Sequence, residues 1–175
     1  MLQKLDDLNN FHKKKDPWGY SLNPDDLKRV EILLSEIPES KYMNVLDVGC
    51  GQGFVTSRLP GENIYGIDIS TEAIKHANNR NIEQVNFIQG SIFDLNKMFK
   101  KKFDLIIITG VLYPQYIGDS SSLIYKIIDK LLSDGGFLIT VHIDEWYSCQ
   151  FPYLKLKQFY YPYRDYNHKL EIYGK

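Results

Sequence analysis

Residues 45–56 read Val45-Leu46-Asp47-Val48-Gly49-Cys50-Gly51-Gln52-Gly53-Phe54-Val55-Thr56, an apolar strand running into a glycine-rich turn and then a helix. Glycine serves such a turn in two ways. It adopts backbone angles that other residues avoid, and it lets a ligand approach the main chain where a helix N-terminus offers unpaired N–H groups. A G-x-G motif alone also fits a tight strand-to-helix turn with no ligand, so its neighbours decide. Asp47 ends the strand, placed to accept a hydrogen bond from an ammonium group. The next apolar run ends in Gly66-Ile67-Asp68, which puts Asp68 19 positions after Gly49, where a dinucleotide-type βαβ unit carries its ribose-binding carboxylate. The spacing is G-x-G-x-G rather than G-x-G-x-x-G, which disfavours a pyrophosphate ligand, and no G-x-x-x-x-G-K-[ST] loop occurs.

Outward from this turn the chain alternates short apolar runs with helical stretches. Asn44 to Val48, Asn63 to Ile67, Val85 to Gln89, Phe103 to Thr109 and Gly136 to His142 read as strands. Phe54 to Leu59, Ser70 to Asn79, Leu95 to Lys100 and Ser121 to Leu132 read as helices. This alternation predicts an α/β fold whose mostly parallel sheet is covered on both faces. The continuously apolar Leu105-Ile106-Ile107-Ile108 fits a central strand. Before the first strand, Leu27, Val30, Ile32, Leu33, Leu34 and Ile37 fall near a helical period, with Asn23 as N-cap, Pro24 at the first position and a stop before Pro38. Residues 1–24 form a polar cap with turns. Between Tyr147 and Tyr173 lie seven of the 13 tyrosines, and Phe159 to Tyr163 with Leu170 to Tyr173 predict an antiparallel edge hairpin around Asp165-Tyr166-Asn167. The expected organisation is one domain over 1–175, with the hairpin region from residue 143.

Composition bounds the function. A chain of 175 residues with 43% hydrophobic and 25% charged residues suits one globular domain. No apolar run approaches a membrane span, and Met1 to Asn10 lacks the apolar stretch of a secretory signal, so a cytoplasmic protein without membrane attachment is expected. Cys50 and Cys149 form neither a CxxC pair nor a zinc set, so no metal is expected. The net charge of −1 disfavours a nucleic-acid partner despite the basic runs Lys13 to Lys15 and Lys100 to Lys102.

The successive segments LDVGCGQG, YGIDIS, VNFIQGSIFDL, FDLIIITGVLY and LLSDGGFLITVH, spanning roughly Tyr42 to His142, resemble the signature regions of class I S-adenosylmethionine-dependent methyltransferases. Asp16-Pro17-Trp18-Gly19-Tyr20 and Tyr160-Tyr161-Pro162-Tyr163-Arg164 resemble the branch of nodulation-protein S type N-methyltransferases, which act on amino-sugar oligosaccharides. The resemblance implies a Rossmann-like seven-stranded sheet and S-adenosylmethionine as cofactor, with S-adenosylhomocysteine as product. It implies that Gly49, Cys50, Gly51 and Gly53 line the methionine part, with Asp47 near its amino group and Tyr20 reaching it from the cap. Asp68, with Ile69 beside it, falls on the ribose. Gly90, Ser91 and Ile92 border the adenine, and Thr109 with Gly110 form the floor beneath the sulfonium. Two departures stand out. Many relatives carry an acid where this chain has Ser91, and nodulation-type relatives often carry one at the position of Gly110.

Methyl transfer from a sulfonium is an in-line displacement in which positioning can suffice. A general base would come from loops beyond the C-terminal strand ends. The catalytic candidates there are Tyr113 and His142, with Tyr116 and Asp144 also in place. His142 otherwise reads as a hydrogen-bonded structural histidine, and the tyrosines as packing or lid residues. The implied activity is methylation of an N or O atom on a small polar acceptor such as an amino sugar. Two alternatives are methylation of RNA or protein, and an inactive cofactor-binding partner subunit, the latter because little chain separates His142 from Phe159. The Tyr-rich end reads either as a dimer face or as part of the acceptor pocket.

Overall fold

The computed structural model describes residues 3–175; Met1 and Leu2, the start of the expected cap, lie outside the described residues. In chain order the elements are α1 (Leu5–His12), α2 (Pro24–Ser35), β1 (Asn44–Val48), β2 (Asn63–Asp68), α3 (Thr71–Asn78), β3 (Val85–Gln89), α4 (Leu95–Met98), β4 (Phe103–Thr109), α5 (Pro114–Ile117), α6 (Ser121–Leu131), β5 (Leu132–Ile143), β6 (Leu154–Tyr163) and β7 (Tyr166–Gly174). The sheet order is β3-β2-β1-β4-β5-β7-β6. The first five strands run parallel, and β7 joins β5 antiparallel with β6 outside it.

Strand order reverses between β1 and β4, so a crevice opens beyond their C-terminal ends, where open α/β sheets bind ligands. Two apolar layers hold the sheet. On one face Leu46, Ile106, Ile108 and Leu138 pack under α4 and α6, which presents Ile124, Ile127, Ile128 and Leu131. On the other, Val45, Leu105, Ile107, Ile139, Leu170 and Ile172 pack under Val30 and Leu33 of α2. Burying a side chain of this size contributes about 1.5–3 kcal/mol. The cap of α2 is as the sequence predicts: the Asn23 side chain accepts from Asp25 N at 2.9 Å, with Pro24 in the first turn.

Several boundaries differ, each for a local reason. The helix expected at Phe54 to Leu59 shrinks to one tight turn, Thr56–Arg58. Leu59 precedes Pro60, which forces it extended, and the Thr56 hydroxyl is taken by Asp47. The cap contains α1, which the polar composition of residues 5–12 concealed. The fifth strand runs from Leu132 to Ile143 because Leu132 pairs with Phe103 of β4 at its start and β7 pairs along Phe137–Ile143. The hairpin turns at Arg164-Asp165, one residue early, since Arg164 takes a left-handed φ of 52° and Tyr163 faces Tyr166. No helix among the described residues is long and apolar enough to cross a membrane.

Candidate active site

The β1 strand ends in a loop held against β2: Gly49 N and Cys50 N donate to Ile67 O at 2.7 and 3.0 Å. Gly49, Gly51 and Gly53 have φ of 79°, 53° and 76°, a region that L side chains rarely adopt. A Cβ at Gly49 would lie 2.0 Å from Val111 Cγ2, and one at Gly53 2.6 Å from Phe87 Cζ. At Gly51 it would meet only His12 Cε1, at 3.9 Å, leaving that glycine as open cradle wall. Gly51 N donates to Asp68 Oδ2 at 2.9 Å and Ser70 N to Oδ1 at 2.8 Å. These bonds aim the Asp68 carboxylate into the cavity it lines. Burial pushes its carboxyl up, and the two N–H groups and His12 pull it back.

Asp47 is buried, and burial pushes its carboxyl up to about 6 against the opposing Thr56 hydrogen bond and Arg29 charge. Thr56 Oγ1 donates to its Oδ2 at 2.6 Å, while Oδ1 has no partner among the described residues. Arg29, from α2, lines the same cavity; its Nε lies 3.7 Å from Asp26 Oδ1 and makes no hydrogen bond. Its guanidinium lies 5.0 Å from the Tyr20 ring centre and 5.8 Å from that of Tyr163. A buried carboxylate and a buried guanidinium, each short of a hydrogen bond, are costly unless a ligand supplies it. Together they fit the ammonium and carboxylate of an α-amino acid.

The N-terminal cap closes one side. Gln52 Nε2 donates to Lys14 O (2.9 Å) and His12 O (3.4 Å), and its Oε1 accepts from Asp16 N at 2.9 Å. Asp16, at φ 49°, accepts from Tyr20 N (2.7 Å) and Ser21 N (2.9 Å). Ser70 Oγ donates to Asn9 Oδ1 at 2.8 Å. The cap is therefore fastened to the glycine loop and to the start of α3.

The whole cavity measures about 1190 Å³, beyond the ~300–1,000 Å³ of a site for one drug-sized ligand. Among the residues singled out from sequence, Tyr20, Asp47, Gly49, Cys50, Gly51, Asp68, Ile69, Ser91, Ile92, Thr109 and Tyr113 line it. Gly53 shapes the loop from behind. His142 stands outside the lining: it is fully buried, and its Nε2 accepts from Val111 N (3.3 Å) and Leu112 N (3.1 Å). Stacked 4.3 Å from Tyr147 and held neutral by burial, it fastens the loop after β4. Tyr113 Oη accepts from Ile143 N at 2.8 Å, and burial pushes the phenol up to about 12, so it keeps its proton.

A family model described as a methyltransferase domain matches residues 39–169. The chain belongs to this methyltransferase family. It is similar to nodulation protein S of Rhizobium tropici, 30% identical over 138 residues that cover 75% of this chain and 57% of that protein. It is also similar to a malonyl-[acyl-carrier protein] O-methyltransferase of Acetivibrio thermocellus, 26% identical over 143 residues, 78% of this chain and 46% of that one. The chain thus spans about half the length of these curated relatives. In fold it resembles the N-methyltransferase NodS of Bradyrhizobium japonicum WM9 in complex with S-adenosyl-L-homocysteine, with a TM-score of 0.81, 20% identity and coverage of 98% and 97% of the two chains.

Within this family frame, sequence reasoning missed Arg29, His12 and His168, all in the cavity wall. For Arg29 the available signal was charge on an apolar face: Asp26, Arg29, Val30 and Leu33 share the buried side of α2. For His168 it was parity, since His168, Leu170 and Ile172 alternate onto one face of β7.

Proposed function

We propose that this chain transfers a methyl group from S-adenosylmethionine to an N or O atom of a small polar acceptor. The observation that carries the reading is the unpaired Oδ1 of Asp47 in a cavity wall shared with Arg29, whose Nε makes no hydrogen bond, the open Gly51 and the aimed Asp68. When bound, S-adenosylmethionine supplies an electrophilic methyl on its sulfonium. Asp47 holds the amino group and Arg29 the carboxylate of the methionine part, while Asp68 accepts from the ribose hydroxyls. Ser91 and Ile92 border the adenine, and Thr109 forms part of the floor. Tyr113 offers its O–H to the acceptor, and His142 positions the loop that carries Tyr113.

The likeness to nodulation protein S supports an amino sugar as acceptor. Trp146 and Tyr166, 4.8 Å apart in the cavity wall, supply aromatic faces on which a sugar ring can stack. The cavity's extent beyond the glycine loop supports an active enzyme over an inactive cofactor-binding subunit. The test is release of S-adenosylhomocysteine with D-glucosamine, methyl glucoside, phenol and malonate as acceptors. Turnover of an amine or hydroxyl probe supports the reading. Binding of the cofactor with turnover only of RNA or protein would replace it.

A further inference from the structure

His168 of β7 lines the cavity and has no role in the reading above. It sits between Ile143 of β5 and Tyr161 of β6 in the pairing register. On the neighbouring strands the cavity-lining Val141 and Ile143 lead back to Thr109, which pairs with Val141. Its orientation is fixed twice over. The ring stacks on Tyr163 at 3.9 Å and 20°, and the Tyr163 hydroxyl is anchored at 2.7 Å on the buried Asp26. Its Nδ1 lies 3.3 Å from Tyr161 Oη. His168 is 5% exposed and belongs to the cavity wall, and the hydrogen bond of its ring is made through Nδ1. An imidazole locked in a cavity wall by a ring stack and by a contact at Nδ1 can meet a ligand through Nε2.

We propose that His168 orients the methyl acceptor: with Nδ1–H donating to Tyr161 Oη, its Nε2 accepts a hydrogen bond from a neutral amine N–H. The proposal rests on the methyltransferase reading above and deepens it from N or O to an amine. The nitrogen lone pair forms the N–C bond, the C–S electron pair returns to sulfur, and both N–H bonds stay on nitrogen. The product leaves as a secondary ammonium that gives its proton to water, so no base is required. A hydroxyl acceptor would require one, and the residues placed beside the acceptor supply none: His168 is driven to about 3 by burial and by Arg29, and Tyr113 keeps its proton. A carboxylate acceptor would meet the Nε2 lone pair and be repelled.

The test combines tautomer and turnover. Protein labelled with 15N-histidine and saturated with S-adenosylhomocysteine should show His168 protonated at Nδ1 with a bare Nε2. With D-glucosamine and benzylamine as probes, His168→Phe, which keeps the ring stack, should lower kcat/KM about 10- to 100-fold, as leaving a polar partner unpaired does. His168→Gln should recover part of the loss, and S-adenosylhomocysteine affinity should change less than about twofold in both variants. An Nε2–H tautomer, a His168→Phe enzyme within about threefold of wild type, or turnover of neither amine by a wild type that binds S-adenosylhomocysteine overturns the proposal. Absence of S-adenosylhomocysteine binding by folded wild type is a separate result, which removes the methyltransferase reading itself.

Discussion

Replacing Asp47 with Asn should stabilise the free protein while damaging cofactor binding. Raising a buried carboxyl from its ordinary 3.8 to about 6 corresponds to about 3 kcal/mol of native-state destabilisation at pH 7. The sign follows from the direction of the shift: a group raised on folding favours the native state below its unfolded value, and that advantage is lost as pH rises through the folded one. Wild-type stability should therefore decline, from this group, between about pH 4 and 6. Asparagine does not titrate and can still accept from Thr56 Oγ1. Allowing for the Arg29 charge that loses an opposite neighbour, Asp47→Asn should gain about 1–3 kcal/mol at pH 7, a Tm rise of about 2–12 °C at roughly 2–4 °C per kcal/mol. Binding of S-adenosylhomocysteine should fall about 10- to 100-fold through loss of a charge-assisted bond to its amino group. Thermal melts at pH 4.5 and 7.5, paired with calorimetric titration, measure both. A variant less stable than wild type at pH 7.5, or a stability difference that does not grow with pH, would refute the reasoning.

Arg29→Met should weaken S-adenosylhomocysteine about 10- to 100-fold but leave 5′-methylthioadenosine, which lacks the carboxylate, nearly unchanged in the same titration. Gly49→Ala should fail to fold or lose more than about 3 kcal/mol in denaturant unfolding, because its Cβ overlaps Val111 Cγ2 at 2.0 Å and its φ of 79° strains any side chain. Gln52→Ala should release the N-terminal cap without unfolding the sheet, seen as faster amide exchange in residues 3–23 and faster dissociation of S-adenosylhomocysteine, since Gln52 supplies three of the cap's fastenings.

The sheet was legible because its signals are local. The apolar runs at Asn44 to Val48 and Phe103 to Thr109 match β1 and β4 residue for residue, and their glycine and aspartate punctuation marks the strand ends. Of the site, the glycine loop and Asp68 were singled out by spacing, because the β1-turn-β2 unit holds them within a stretch of 20 residues or so, while the part given to each loop residue came from the family resemblance. The acceptor half was not legible. Tyr163 and His168, and Arg29 on the cofactor side, come together only after α2 packs across the sheet and the C-terminal hairpin folds back beside β5. The Asp26 carboxylate then receives Tyr163 Oη and Arg164 Nη2, the latter at 2.6 Å, from 137 and 138 positions away in the chain. His142 shows the converse. Its place at a strand end drew attention to it, yet the decisive fact, two backbone N–H groups on its Nε2, depends on how the Val111-Leu112 loop turns back.

The central claim is that the Asp47, Gly51 and Asp68 cradle holds S-adenosylmethionine, and the most direct measurement is calorimetric titration of S-adenosylhomocysteine into wild type and Asp68→Ala. The account predicts one-to-one micromolar binding by wild type, weakened about tenfold or more when the ribose carboxylate is removed. A folded wild type that takes up no S-adenosylhomocysteine, or an Asp68→Ala variant that binds it equally well, would contradict the account.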